Sequence, residues 1–254
     1  MRATTNKQDA APITWPPLDD SRLVYYDSMT ALYCCDYQEI LLDLPIVDHI
    51  ITDPPYTERV HENARTTEGT RRRDAPYDAR RIEFGFEPLL DVADLVAQLL
   101  PRCRRWLLAF CAFEHFGEYA AAGGDSWVRG CLWVPPNRSP QFTGDRPAQP
   151  GDGIACLHAP GRKRWNGHGK RGIYTTTSER AFRKHPTEKP VRLMSALVGD
   201  FSDPGEVILD PFAGSGSTLA AAKQRSRRAI GIEREAKYCA AAVERLRQES
   251  FAFG

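Results

Sequence analysis

No run in the 254 residues approaches the roughly 18 to 20 consecutive apolar side chains that a membrane-crossing helix needs, and the N-terminus carries no signal-peptide pattern. Cysteine occurs seven times, an odd number, and never as Cys-x-x-Cys. That spacing argues against both a disulfide framework and a zinc site, and no bound metal is expected; reduced thiols fit better. Cys34 and Cys35 adjoin an apolar stretch and are expected in the core. Charge of one sign is also missing: the formal net charge is +1, so the surface as a whole is not built to grip a polyanion. No internal repeat is present, and the length suits one sizeable α/β domain rather than two.

Charge is instead concentrated locally. Between Gly161 and His185 eight basic residues (Arg162, Lys163, Arg164, Lys170, Arg171, Arg180, Arg183 and Lys184) face one acid, Glu179. A second run, Arg71-Arg72-Arg73, is followed by Arg80-Arg81. Such clusters suit phosphate contacts, although either run alone is equally consistent with a solvated loop.

Residues 1–20 lack periodicity and read as a loose tail. Residues 21–134 alternate apolar strand patterns (Leu32–Cys35, Asp48–Thr52, Trp106–Phe110, Trp127–Val134) with helical ones (Tyr37–Leu44, Leu89–Cys103, Phe113–Ala122). Residues 57–82 have no pattern, which in a compact domain marks a functional or unstructured loop. Residues 135–184 change to proline, glycine and basic residues and are expected to be an insertion. From 185 to 254 the alternation resumes, with helices over Val191–Phe201, Ser217–Arg225 and Ala236–Gln248 and strands over Glu206–Leu209 and Ala229–Ile232. Alternation at both ends predicts a doubly wound, mostly parallel sheet.

Two turns carry the chemistry. Val207-Ile208-Leu209-Asp210-Pro211-Phe212-Ala213-Gly214-Ser215-Gly216-Ser217-Thr218 reads as strand, glycine-rich turn and helix start. Glycine permits a sharp turn and a close backbone approach, and the helix N-terminus offers free N–H groups. The P-loop lysine and the full G-x-G-x-x-G are absent, which disfavours a nucleoside triphosphate. Glu233 ends the next strand about 20 residues on, the position from which an acid holds ribose hydroxyls; the alternative is a helix cap. A nucleoside-bearing cofactor is the better explanation of the pair.

The second turn, Asp53-Pro54-Pro55-Tyr56, ends a predicted strand, where open α/β sheets carry their sites. An exocyclic amine on adenine or cytosine is a weak nucleophile because its lone pair is delocalised into the ring. Activation needs acceptors that hold its N–H bonds, and the Asp53 carboxylate and the Pro54 carbonyl supply two. Proline has no N–H, so the stretch presents acceptors only. Tyr56 is placed to stack on a base withdrawn from its helix. A rigid proline turn with no chemistry is the competing reading.

These residues resemble the permuted, beta-class DNA amino-methyltransferases. Asp53-Pro54-Pro55-Tyr56 is similar to the family's catalytic motif, and Asp210-Pro211-Phe212-Ala213-Gly214-Ser215-Gly216 to its cofactor motif, here the later of the two. His185-Pro186-Thr187-Glu188-Lys189-Pro190 resembles its H-P-T-Q/E-K-P element. Pro140-Gln141-Phe142-Thr143-Gly144-Asp145-Arg146-Pro147 is similar to a stretch of small phage-type DNA adenine methylases. The resemblance covers about residues 31–248 and implies a circularly permuted Rossmann-like fold, with 21–134 the catalytic half, 185–254 the cofactor half and 135–184 the target-recognition insertion. It implies S-adenosylmethionine as cofactor, held by Asp36, Asp53, His185, Thr187, Lys189, Asp210, Phe212, Gly214, Gly216, Ser217, Thr218 and Glu233. The family usually has glycine before the acid at 36, where this chain has Cys35.

An aspartate at 53 leans toward adenine N6 in double-stranded DNA; the alternatives are cytosine N4, a structured RNA, or a non-catalytic module that grips DNA. Arg71, Arg72, Arg73, Arg162, Lys163, Arg164, Lys170 and Arg171 are the expected phosphate contacts, with Trp165 and Asn166 wedging or reading bases. The resemblance also implies a restriction-modification setting in the cytoplasm or nucleoid of a prokaryotic or phage-infected cell, and leaves room for a homodimer.

Overall fold

The computed structural model describes residues 13–55, 91–137, 147–177 and 188–252. Among them are nine strands: β1 (Leu23–Tyr26), β2 (Thr30–Cys34), β3 (His49–Thr52), β4 (Trp106–Cys111), β5 (Trp127–Trp133), β6 (Asp152–His158), β7 (Ile173–Tyr174), β8 (Val207–Asp210) and β9 (Arg228–Glu233). Five α-helices accompany them: α1 (Val92–Leu99), α2 (Phe116–Gly123), α3 (Val191–Phe201), α4 (Ser217–Gln224) and α5 (Ala236–Ala252). The strands form one sheet in the order β1-β2-β9-β8-β3-β4-β6-β5-β7. The block β2-β9-β8-β3-β4 is parallel throughout, while β1 and β6 run antiparallel to their neighbours.

Side chains alternate between two cores with the period-two rhythm of a strand. On one face Ile50, Leu107, Ala109, Leu209 and Ile230 pack with Leu95, Val96 and Leu99 of α1 and Tyr119 of α2. On the other, Ile51, Leu108, Phe110 and Ile208 pack with Leu193, Met194, Leu197 and Val198 of α3 and with Leu219 of α4. The two-sided burial follows from the path of the chain. From β3 through α1 to β4 it steps away from β8; from β8 through α4 to β9 it steps the other way. Right-handed crossovers in opposite directions put helices on opposite faces. Between β3 and β8 the direction reverses, which makes their carboxyl ends the place where a sheet of this kind holds its ligand crevice.

Two expectations are corrected, and two strands are added. The Tyr37–Leu44 helix is only a 3-10 turn over Tyr37–Glu39. Its capping box closes on Glu39, and a segment this short, ahead of Pro45, does not repay helix nucleation. The segment 135–184 is not wholly an insertion, because it supplies β6, hydrogen-bonded to β4 on one side and β5 on the other. Ile154 through Leu157 of β6 are buried in both cores, so the apolar run Ile154-Ala155-Cys156-Leu157 was the overlooked signal. Finally, β1 and the two-residue β7 are short edge strands that carry little pattern.

Candidate active site

Acids end four neighbouring strands of the parallel block. Asp36 follows β2, Glu233 ends β9, Asp210 ends β8 and Asp53 follows β3. They are scattered over nearly 200 positions of sequence, yet neighbouring strands lie only about 4.8 Å apart. Each does a different job.

Asp210 is 3% exposed. Its Oδ1 accepts from Thr52 Oγ1 at 2.8 Å and from the Phe212 backbone N–H at 3.1 Å. Burial pushes its pKa up to about 6, against the pull of bonds from Thr218, Thr52 and Phe212; the nearby Asp53 adds to the rise. The carboxyl therefore ties the end of β3 to the turn after β8 from behind. Thr218 is likewise buried beneath the turn, and Ser217 accepts from Arg245 Nη1 at 2.6 Å and donates to Glu188 Oε1 at 3.3 Å. Asp210, Ser217 and Thr218, three residues expected at the cofactor, are thus buried and packed behind the turn.

The turn itself is shaped by glycine. Gly214 and Gly216 have φ of +52° and +83°, in the left-handed region that costs other residues roughly 1–2 kcal/mol. A Cβ on Gly214 would meet nothing within 4 Å, so the turn faces open space. Gly216 lies instead against α5, where a Cβ would stand 3.0 Å from that of Ala242. Glu233 Oε2 accepts from the Gly214 N–H and Oε1 from the Glu235 N–H, both at 2.8 Å. The carboxylate thus holds the turn and also caps the entry to α5. Burial raises its pKa, opposed by those two backbone bonds. Each oxygen keeps a further lone pair, so capping leaves capacity to accept from a ligand.

Asp36 caps its own turn by accepting from the Gln38 N–H at 2.9 Å. Next to it Tyr37 packs against Phe212 with ring centroids 5.0 Å apart, joining the turn after β2 to the turn after β8. Tyr37 Oη in turn donates to Gln98 Oε1 at 3.1 Å. Neither Tyr37 nor Gln98 carried a motif that would single it out.

At the crevice Lys189 Nζ donates to Asp53 Oδ1 at 3.0 Å and Oδ2 at 2.8 Å. It also lies 3.5 Å from Asp152 Oδ2 and 4.9 Å from the Phe110 ring centroid. Lys189 is 7% exposed, while the Asp53 side chain is 26% exposed and can meet a ligand. Pro54 is buried beneath it and Pro55 exposed. Arg245 of α5 ion-pairs with Glu188 and so locks the segment before α3 to the start of α4. Asp152 and Arg245 carried no motif, and Glu188 was read only as part of the His185–Pro190 element, because the roles of all three depend on contacts distant in sequence.

Tyr56, His185, Thr187 and Arg71, Arg72 and Arg73 lie outside the described residues. Of the remaining basic candidates, Arg162, Lys163 and Arg164 lie on a segment that starts from the other end of the sheet. Ala159 donates its N–H to the Arg105 carbonyl, and Trp106 Nε1 donates to the Arg164 carbonyl at 2.7 Å. Residues 159–171 therefore start from the end of the sheet where β4 begins, whereas Asp53 lies beyond Thr52, which is in register with Ala109. From Trp106 to Phe110 is about 13 Å at the rise of a strand. Arg164 ion-pairs with Asp203, and Lys170 with Asp200 at 2.8 Å. Asn166 Nδ2 donates to the Ser202 carbonyl and Asp203 Oδ1, and Trp165 packs on Phe201. Asn166 and Trp165 are thus engaged with the end of α3. Arg162 and Lys163 are exposed along this loop, and Arg171 is exposed where it returns to β7 beside Leu132 and Trp133.

No helix among the described residues is long and apolar enough to cross a membrane, and among them no group of histidine, cysteine and acidic side chains is arranged to hold a metal.

Comparison with known proteins bears on what this crevice is. Residues 125–244 match the family model described as DNA methylase, covering N6 and N4 enzymes. Through these residues, just under half of its length, the chain is similar to the DNA methylase family. The match includes the turn after β8 and Glu233 but not Asp53. The chain is similar to the YubD protein of Escherichia coli (strain K12), 53% identical over 64 residues, which are 25% of this chain and 28% of that one. It is also similar to the type II methyltransferase M.HinfI of Haemophilus influenzae, 46% identical over 70 residues, 28% of this chain and 20% of that one. The similarity thus spans less than a third of either relative's length. The structure of the M1.HpyAVI–SAM complex superposes with a TM-score of 0.64 at 24% identity, covering 86% of this chain and 99% of that one. The methyltransferase fold, with its mixed and mostly parallel sheet, is therefore shared by this chain.

Proposed function

We propose that this protein is a DNA methylase that binds S-adenosylmethionine and transfers its methyl group to the exocyclic amine of a DNA base, adenine N6. The observation that carries this reading is the juxtaposition at the β3/β8 crevice: the Asp53 carboxylate stands at the end of β3, joined through Thr52 and Asp210 to an open glycine turn. A ligand-accepting carboxylate and a cofactor-sized turn meet where the sheet reverses direction.

The cofactor reading fits the residues present. Gly214 leaves the front of the turn clear, Glu233 has lone pairs to spare for ribose hydroxyls, and the half-buried Phe212 offers an apolar flank. S-adenosylmethionine, once bound, supplies a methyl group already activated on a sulfonium. What remains for the protein is to present a better nucleophile in the right place. The Asp53 carboxylate and the Pro54 carbonyl accept the N–H bonds of the target amine, which localises its lone pair. The fixed end of β3, anchored by the Thr52–Asp210 bond, holds those acceptors in position, and positioning supplies most of the rate. Resemblance to M.HinfI and M1.HpyAVI supports DNA as the substrate, and aspartate at 53 supports adenine.

The test is a digest of treated DNA to nucleosides after incubation with S-adenosylmethionine. N6-methyladenine is expected, and Asp53→Ala should lower transfer by about two to three orders of magnitude, the usual cost of removing one group that stabilises the transition state. The variant should still fold, and the loss of transfer should far exceed any loss of stability from unpairing the buried Lys189, followed by urea unfolding. N4-methylcytosine as sole product would overturn the base, and full activity in Asp53→Ala the mechanism.

A further inference from the structure

Lys189 creates a difficulty for the reading above, and Asp152 resolves it. In the structure both oxygens of Asp53 accept from the Lys189 ammonium. A target amine must take over at least one of those oxygens. Lys189 is 7% exposed, and a buried ammonium that merely lost its partner would be left as an uncompensated charge, at a cost of several kcal/mol.

A second carboxylate stands on the other side of it. Asp152 Oδ2 lies 3.5 Å from Lys189 Nζ, at the edge of direct contact, and its side chain is 16% exposed. The placement is built into the backbone. Asp152 begins β6, opposite Trp133 of β5. It is preceded by Gly151, where a Cβ would stand 1.9 Å from the Trp133 carbonyl oxygen, so only glycine lets the chain enter the sheet at this point. The ring of Phe110, on the strand between β3 and β6, lies under the ammonium with its face 4.9 Å away and offers a favourable surface to a cation wherever between the acids it sits.

We propose that Asp152 is a positioning residue for methyl transfer: it draws the Lys189 ammonium off Asp53 when the target amine arrives, so that Asp53 can accept from the amine while the buried lysine stays paired. No proton or electron moves in this exchange. The ammonium keeps its charge and its N–H donors, and a displacement of less than an ångström converts the 3.5 Å separation into a hydrogen bond of ordinary length. The proposal rests on the methyl-transfer reading and names a residue outside its motifs.

The experiment is a double-mutant cycle on single-turnover methyl transfer, run with wild-type protein and with Asp152→Asn, Lys189→Met and the double variant. Cofactor affinity is followed in parallel by calorimetry. Asp152→Asn keeps the size of the side chain and removes its charge, which leaves Lys189 bound to Asp53; transfer should slow by about tenfold or more, while S-adenosylmethionine affinity is unchanged. With Lys189 absent, Asp152→Asn should have almost no further effect, because Asp152 acts only through that lysine. Asp152→Glu, which keeps the charge, should recover most of the lost rate. Equal effects of Asp152→Asn in both backgrounds, or a fall in cofactor affinity matching the fall in rate, would overturn the assignment. If Asp152→Asn fails to fold, the same comparison is made with Asp152→Glu and Asp152→Ser, and a rate that follows stability rather than charge overturns it as well. Wild-type protein that binds cofactor but methylates no DNA would overturn the functional reading, and this inference with it; wild-type transfer with an additive cycle overturns this inference alone.

Discussion

Replacing Asp210 by asparagine isolates the cost of burying a carboxylate behind the cofactor turn. Asp210 is 3% exposed, and burial raises its pKa from the ordinary 3.8 to about 6. At 1.36 kcal/mol per unit, that difference corresponds to about 3 kcal/mol. A folded carboxyl that holds its proton more tightly than the unfolded one contributes stability in acid. The contribution is complete below 3.8, falls away as pH rises, and is lost above about 6, where the buried group is ionised. Asparagine keeps an oxygen to accept from Thr52 Oγ1 and the Phe212 N–H but has no proton to lose. Urea unfolding of both proteins between about pH 4 and about pH 7 removes the contribution of every other titrating group from the comparison. The stability of Asp210→Asn relative to wild type should rise by about 2.4 kcal/mol across that window, since the unfolded carboxyl is already partly ionised at about pH 4, with equal m-values. A difference that stays flat with pH would show that the carboxyl is no harder to ionise in the fold than in the unfolded chain, and would refute the argument.

Two further expectations follow from geometry. Gly216→Ala should destabilise the protein by more than the roughly 1–2 kcal/mol of a left-handed residue, because its Cβ would also crowd Ala242 at 3.0 Å; Gly214→Ala should cost only the backbone part, and urea unfolding that ranks them the other way would contradict this. Changing Arg162, Lys163 and Arg164 together to alanine should leave DNA affinity and its salt dependence near wild type, since this loop leaves the sheet at the end away from Asp53; a salt slope flattened by about three phosphate contacts in a binding titration would restore the loop as a DNA surface.

The local grammar of the chain was readable without coordinates wherever periodicity and punctuation agree. Val191–Phe201, with apolar residues at helical spacing after Pro190, is a helix over the very residues expected. The strands before Asp53 and Asp210 are present, as is the glycine-rich turn with its two positive-φ glycines. These features follow from interactions within a few residues, so the sequence alone determines them. It also placed Asp53 and Glu233 at strand ends, because a proline pair stops one strand and an acid ends the other.

What the sequence could not contain was which strand ends become neighbours and which way each loop leaves the sheet. The order β2-β9-β8-β3 sets Asp36, Glu233, Asp210 and Asp53 side by side, and only then does Asp210 become a buried brace between β3 and β8. Basic residues look alike in a sequence whether they flank a site or not; the antiparallel course of β6 carries Arg162 to Arg164 to the far end of β4. The same strand brings Asp152 to Lys189 from 37 positions away. Hydrophobic pattern specifies the faces of a strand, because side chains alternate every residue, but not its neighbours, which are chosen by the packing of the whole sheet. The chemistry expected of this crevice is therefore written in two short turns, and the residues that brace and tune it exist as a group only in the tertiary structure.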